Sequence, residues 1–211
     1  MGTSGDKGGV ARRLALILAL TSLLGLAVAP GAIAAGGIDG GRAIAQLERP
    51  ATSSSLIAPV DVCPGQGDRG AEIEAQEQAM RCMTDYARQQ LGLNGLGDVE
   101  ALDTSARSKT LDILHCDSFS HFACGREFTY WMKETGYIGA SCWHVGENLA
   151  WGTGAQGSVR SIFRAWMRSP GHRRNILGSY DDLGLSLEVG ALGGRSGTSV
   201  WAQHFGSHCE E

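Results

Sequence analysis

Leu183-Gly184-Leu185-Ser186-Leu187-Glu188-Val189 puts an apolar side chain at every second position, and a turn holding Gly193, Gly194 and Gly197 leads into a second run, Thr198 to Phe205. Alternation suits a half-buried strand, and two runs around a glycine turn read as an antiparallel hairpin. Upstream the pattern is helical. From Ala71 to Leu91, Ile73, Met80, Met83, Tyr86, Ala87 and Leu91 recur at three- and four-residue steps. Glu72, Glu74 and Glu77 enrich the opening turns, and Gly92 stands where a helix would stop. A second helix is expected from Glu100 to Leu114, with Leu102, Ala106, Ile113 and Leu114 inward, and a short one from Arg126 to Thr135. Val145 to Trp151 reads as a strand. Ser158 to Arg168 carries the stripe Val159, Ile162, Phe163 and Trp166, and Pro170-Gly171 is expected to stop it. Helices early and strands late, without regular β-α-β alternation, predict an α+β layered fold.

Outward from this core the chain changes character. Lys7, Arg12 and Arg13 precede an apolar run from Leu14 to Val28, then Pro30-Gly31 and Ala32-Ile33-Ala34. Basic, apolar, small is the order of a secretory signal, with cleavage expected near Ala34. This almost unbroken run of 15 residues rises only about 22 Å as a helix, short of a hydrocarbon core of roughly 30 Å. No later stretch has the length and apolarity of a membrane span. Residues 35–62, with Gly36-Gly37, Gly40-Gly41 and Ser53-Ser54-Ser55, have linker composition, and residues 63–211 are expected to form the folded domain.

Without residues 1–34 the chain keeps 15 Lys+Arg and 21 Asp+Glu, a net charge of −6. Mild acidity with no evident Lys/Arg cluster argues against nucleic acid or an anionic membrane as partner. All six cysteines lie beyond the signal, and an even number in an exported chain reads as three disulfides. No C-x-x-C is present, which disfavours a thiolate zinc site. Six cysteines allow 15 connectivities. Cys116 and Cys124 are close and bracket His121, so they are expected to pair; Cys63–Cys82 and Cys142–Cys209 complete the scheme.

Three ionisable residues stand out by context. His121 lies between two cysteines, His172 follows a helix stop, and Glu147 interrupts an apolar run bounded by Val145, Leu149 and Trp151. A carboxylate there is costly to bury unless it is paired or bound; the bland alternative is an exposed glutamate on a strand edge.

Four strings taken together resemble the CAP superfamily, which groups cysteine-rich secretory, antigen 5 and pathogenesis-related 1 proteins, and within it the bacterial branch. They are Phe119-Ser-His121, Gly146-Glu-Asn-Leu-Ala-Trp-Gly152, Trp166 to Leu177 with Ser169-Pro-Gly-His172 inside it, and Trp201-Ala-Gln-His-Phe-Gly206. The resemblance implies an α-β-α sandwich, a central antiparallel sheet between helical layers. It also implies a cleft in which His121, His172 and Glu147 converge, a ligand set suited to zinc or another divalent ion. Ser169, Trp143, Trp151 and Asn148 are candidates to line that cleft. Ser169 stands where animal and plant members carry a second acid, which weakens the expected hold on a metal.

Function is less defined than fold, since no single reaction defines the family. The leading expectation is a secreted, non-enzymatic module binding a small molecule, lipid or cell-envelope component. Two alternatives stay open: a metal-dependent hydrolase with Glu147 as general base, and a purely structural His/Glu network.

Overall fold

The computed structural model describes residues 54–140 and 142–209. The signal and the first part of the linker lie outside the described residues. The elements run α1 (Ile73–Gln89), β1 (Gly97–Asp98), α2 (Glu100–His115), α3 (Tyr130–Glu134), β2 (Trp143–Gly152), α4 (Val159–Arg168), α5 (Pro170–Ile176), β3 (Asp182–Leu192) and β4 (Arg195–His208).

Strand order is β1-β3-β4-β2. The β3–β4 and β2–β4 pairs are antiparallel, whereas the two-residue β1 joins β3 in parallel, so the expected antiparallel sheet has one mixed edge. The hairpin is longer than its alternating stretches suggested. Gly193 and Gly194 both take positive φ, 56° and 73°, the backbone that a two-residue hairpin turn needs, and Leu192 pairs with Arg195 across it.

Period-two alternation then sorts the core into two layers. Leu183, Leu185, Leu187, Trp201 and Phe205 pack on one face with Met80 and Met83 of α1, Phe163 and Trp166 of α4, and Ile176 of α5. Leu149, Val200 and Ala202 point the other way, against Ala106 and Ile113 of α2. The result is an α-β-α sandwich. Gly184 shows how tightly it closes, since a Cβ there would lie 2.1 Å from the Leu102 carbonyl carbon of α2.

Some expectations need correction. Ile73 and Leu91 are each 41% exposed, because the inward stripe of α1 is Met80, Met83 and Ala87. The third helix is confined to Tyr130–Glu134. Pro170 does not only end α4; it is the first residue of α5, where its missing N–H has no helical partner to lose. The expected linker ends too late. Leu56 and Ala58 are fully buried in the core, and the Gln66 amide donates to the carbonyls of Pro59 and Cys63. Two isolated apolar residues carry no periodicity, so composition alone read them as tether.

The structure joins Cys63 to Cys82, Cys116 to Cys124 and Cys142 to Cys209, the pairs set out above. No helix among the described residues is long and apolar enough to cross a membrane.

Candidate functional site

Glu147 lies midway along β2, directly opposite His204 of β4 and on the face covered by α2. Its side chain is 1% exposed. One carboxylate oxygen is 2.5 Å from His121 Nδ1 and the other 2.9 Å from His204 Nε2. The chain of contacts continues inward, with Ser105 Oγ of α2 at 2.6 Å from His204 Nδ1. An ionised carboxylate only accepts, so both imidazole nitrogens facing Glu147 carry protons. Ser105 and His204 are fully buried, whereas the His121 side chain is 53% exposed. A polar wire thus runs from the core to one imidazole at the surface.

Burial alone would push the Glu147 carboxyl up. The hydrogen bonds from His121 and His204, with the charge of Lys109, outweigh burial and hold it below the ordinary glutamate range. The same bond raises the pKa of His121. Lys109 of α2 is fully buried, and its ammonium donates to the His121 carbonyl at 2.8 Å. Desolvation lowers its pKa. The His121 loop is therefore tied at its backbone by Lys109, at its side chain by Glu147, and at its ends by Cys116–Cys124.

His172 comes from α5 and is not a partner of Glu147. Its pKa is lowered, first by desolvation and then by the charge of His121, so the two rings are electrostatic neighbours. α5 is held against the edge strand β2 by Asn148, whose amide donates to the His172 carbonyl at 3.1 Å and to Gln203 Oε1 at 3.1 Å. Asn175 donates back, to Asn148 Oδ1 and the Glu147 carbonyl. Arg88 of α1 fixes the end of α5 by donating to the carbonyls of Ile176 and Gly178. Asn148 is thus a sealed positioning residue on the sheet face opposite Glu147.

The other candidates disperse. Ser169 is the residue between α4 and α5. Trp143 and Trp151 share the Glu147 face but stand four residues to either side, about 13 Å away along the strand. Both are exposed, and Trp151 faces the Arg195 guanidinium at 5.5 Å.

Ser105, Lys109 and His204 were missed by sequence reasoning, although a signal existed. Ser105 and Lys109 fall on the inward stripe of α2 with Leu102, Ala106 and Ile113, and His204 interrupts a buried strand as Glu147 does.

The residues do not fit a three-ligand metal centre. Both oxygens of Glu147 are engaged by imidazoles, and among the described residues no three His, Cys, Asp or Glu side chains are grouped to hold an ion. The donors left are His121 Nε2 and the His172 ring.

No family model matches the chain. Over 137 residues it is 31% identical to the uncharacterized protein YkwD of Bacillus subtilis, across 64% of this chain and 48% of that protein. The chain thus spans about half the length of the curated relative it matches. Among solved structures it is similar to an outer surface protein from Borrelia burgdorferi, at 17% identity and TM-score 0.55, over 66% of this chain and 97% of the other. It is also similar to an extracellular protein containing an SCP domain from Bacillus anthracis, at 20% identity and TM-score 0.51, over 63% and 40% respectively. With the layered sheet and its helices in this order, these likenesses show that the chain has the CAP-superfamily, SCP-like fold.

Proposed function

We propose that the protein is an exported, non-enzymatic binding module that takes an apolar or envelope-derived ligand beside His121, with the His121–His172 pair able to hold a divalent ion weakly. Export is supported by the basic-apolar-small N-terminus, the three disulfides and the outer-surface and extracellular neighbours. The carrying observation is the bond from His121 Nδ1 to Glu147, which fixes that ring and leaves Nε2 without a partner among the described residues. A carboxylate behind an imidazole is how proteins orient a histidine that meets a ligand or metal with its other nitrogen.

The hydrolase reading fares worse. A general base works best with a pKa near the operating pH, and Glu147 is held low with both oxygens engaged. Ser105, His204 and Glu147 have the order of a nucleophile triad, but Ser105 is fully buried. The structural reading keeps one part of the wire. Complete burial of Ser105 and His204 suits a role in holding α2 to the sheet.

Calorimetric titration with ZnCl2 tests the site. The wild type should bind with modest affinity, since Ser169 supplies no charge. His121→Ala and His172→Ala should each abolish the heat while keeping the fold. Glu147→Gln should weaken binding about tenfold, the lower end for an orienting partner. Equal heats in all four proteins would remove the ion-binding reading.

A further inference from the structure

Net acidity conceals an uneven distribution of charge. α4 and α5 carry Arg160, Arg164, Arg168, Arg173 and Arg174, and no Asp or Glu occurs from Asn148 to Tyr180. The remaining described residues hold eight Lys or Arg against 17 Asp or Glu. The absence of a basic cluster expected from the overall charge is therefore overturned. Arg160, Arg164 and Arg168 recur every four residues, which lines them along one side of α4, a spacing at which like charges weaken a helix.

Arg164, Arg168 and Arg174 are exposed. None of them forms an ion pair with a carboxylate among the described residues. The half-buried Arg160 is spent on the Ala58 carbonyl and the Gln66 side chain. Two depressions adjoin there. One, of about 290 Å³, lies between Ile57 and α4. The other, of about 410 Å³, lies over Pro170 and Leu177 of the α5 region. They share Met167 and Arg168, so apolar floors of Ile57, Met167, Pro170 and Leu177 are rimmed by guanidinium groups.

That combination fits an anion with an apolar part. The planar guanidinium fork matches phosphate oxygens, and the apolar floors suit acyl chains rather than a second charge. A soluble polyanion would leave those floors unused. We propose that the outer face of α4 and α5 docks on a bilayer rich in anionic phospholipid, with Arg164, Arg168 and Arg174 meeting the headgroup phosphates. This face is distinct from the His121 site and does not depend on it.

Vesicle co-sedimentation tests it, with the chain from Ala35 onward, which holds every described residue and omits the apolar leader. Binding is expected to phosphatidylglycerol-containing vesicles and not to pure phosphatidylcholine. It should fall sharply between about 0.1 M and about 0.5 M salt as screening shortens. Each arginine at an anionic surface gives roughly a fivefold effect, so Arg164→Gln, Arg168→Gln and Arg174→Gln together should weaken binding about 100-fold. Arg107→Gln, exposed but outside the face, should change nothing. Near-ultraviolet circular dichroism checks the fold, and the charge-reversed triple variant with glutamates gives a second reading. Equal binding to both vesicle types, or unchanged binding by the triple variants, would overturn the proposal. So would capture of soluble polyphosphate without vesicle binding.

Discussion

Glu147 and Asn148 are neighbours on β2, and His204 and Gln203 face them on β4, yet the two pairs build opposite kinds of site. On the α2 face, ionisable groups form a wire that ends at an exposed imidazole. On the other face, the fully buried Asn148, Gln203 and Thr84 and the half-buried Asn175 form a neutral amide and hydroxyl cluster. One residue of strand period separates a titratable route to the surface from a neutral clamp. Neutral hydrogen bonds can hold α5 at any ordinary pH; a carboxylate buried among imidazoles holds its partner only while protons are correctly placed.

The most severe way to break this contrast is at its shared centre. His204→Ala removes a fully buried imidazole, leaves one oxygen of Glu147 without its donor and leaves Ser105 only the Leu102 carbonyl. Breaking a buried pair on one side costs about 3–5 kcal/mol, and a drop of this order in urea denaturation is expected. A loss below about 1 kcal/mol would mean that water replaces the imidazole and that the wire is not structural.

The fold was legible because its signals were periodic. Leu183, Leu185 and Leu187 announced a strand, and the α4 stripe announced a helix. The site was legible only in part. Glu147 stood out as a charge in an apolar run, and the Cys116–Cys124 bracket drew notice to His121. Ser105 and Lys109 share the α2 stripe of Leu102, Ala106 and Ile113, but a serine and a lysine on a helix stripe are weaker anomalies than a carboxylate in an apolar strand. His204 has the same signature as Glu147, but a histidine in a strand is a weaker anomaly than a carboxylate. Leu56 and Ala58 were unreadable because two apolar residues define no period.

Asn148→Ala and Glu147→Gln sharpen the comparison by pH. Asn148→Ala takes the amide donor from Gln203 Oε1 and the His172 carbonyl and leaves the Asn175 amide only the Glu147 carbonyl, which should cost about 2–3 kcal/mol, with little change from pH 5 to 8, because no member of that cluster titrates. Glu147→Gln should cost less, about 1–2 kcal/mol, and only within a window. The folded pKa of Glu147 is lowered, so its contribution is full above the unfolded glutamate value and lost as pH falls through the lowered one. The folded pKa of His121 is raised, so its contribution is full below the unfolded histidine value and lost as pH rises through the raised one. The difference between wild type and Glu147→Gln should therefore be widest between about pH 4.5 and 6.5. Parallel pH profiles for the two variants would erase the distinction between the faces.

The smallest expected change in stability belongs to the residue where the wire meets solvent. His121 is more than half exposed, so His121→Ala should cost under about 1 kcal/mol. Its effect should appear instead on a neighbour. In the wild type, imidazole NMR signals should place His121 above and His172 below the ordinary value of about 6.5, the first through its bond to Glu147 and the second through desolvation and the His121 charge. Removing His121 deletes the repulsion but not the burial, so the His172 titration should move upward without reaching the ordinary value. The same variant leaves Asn148 and its hold on the His172 carbonyl in place, so the ring itself should not shift position. A His172 titration unchanged by His121→Ala would mean that the two imidazoles do not sense each other. The paired-histidine site would then fall, although the wire behind His121 would stand.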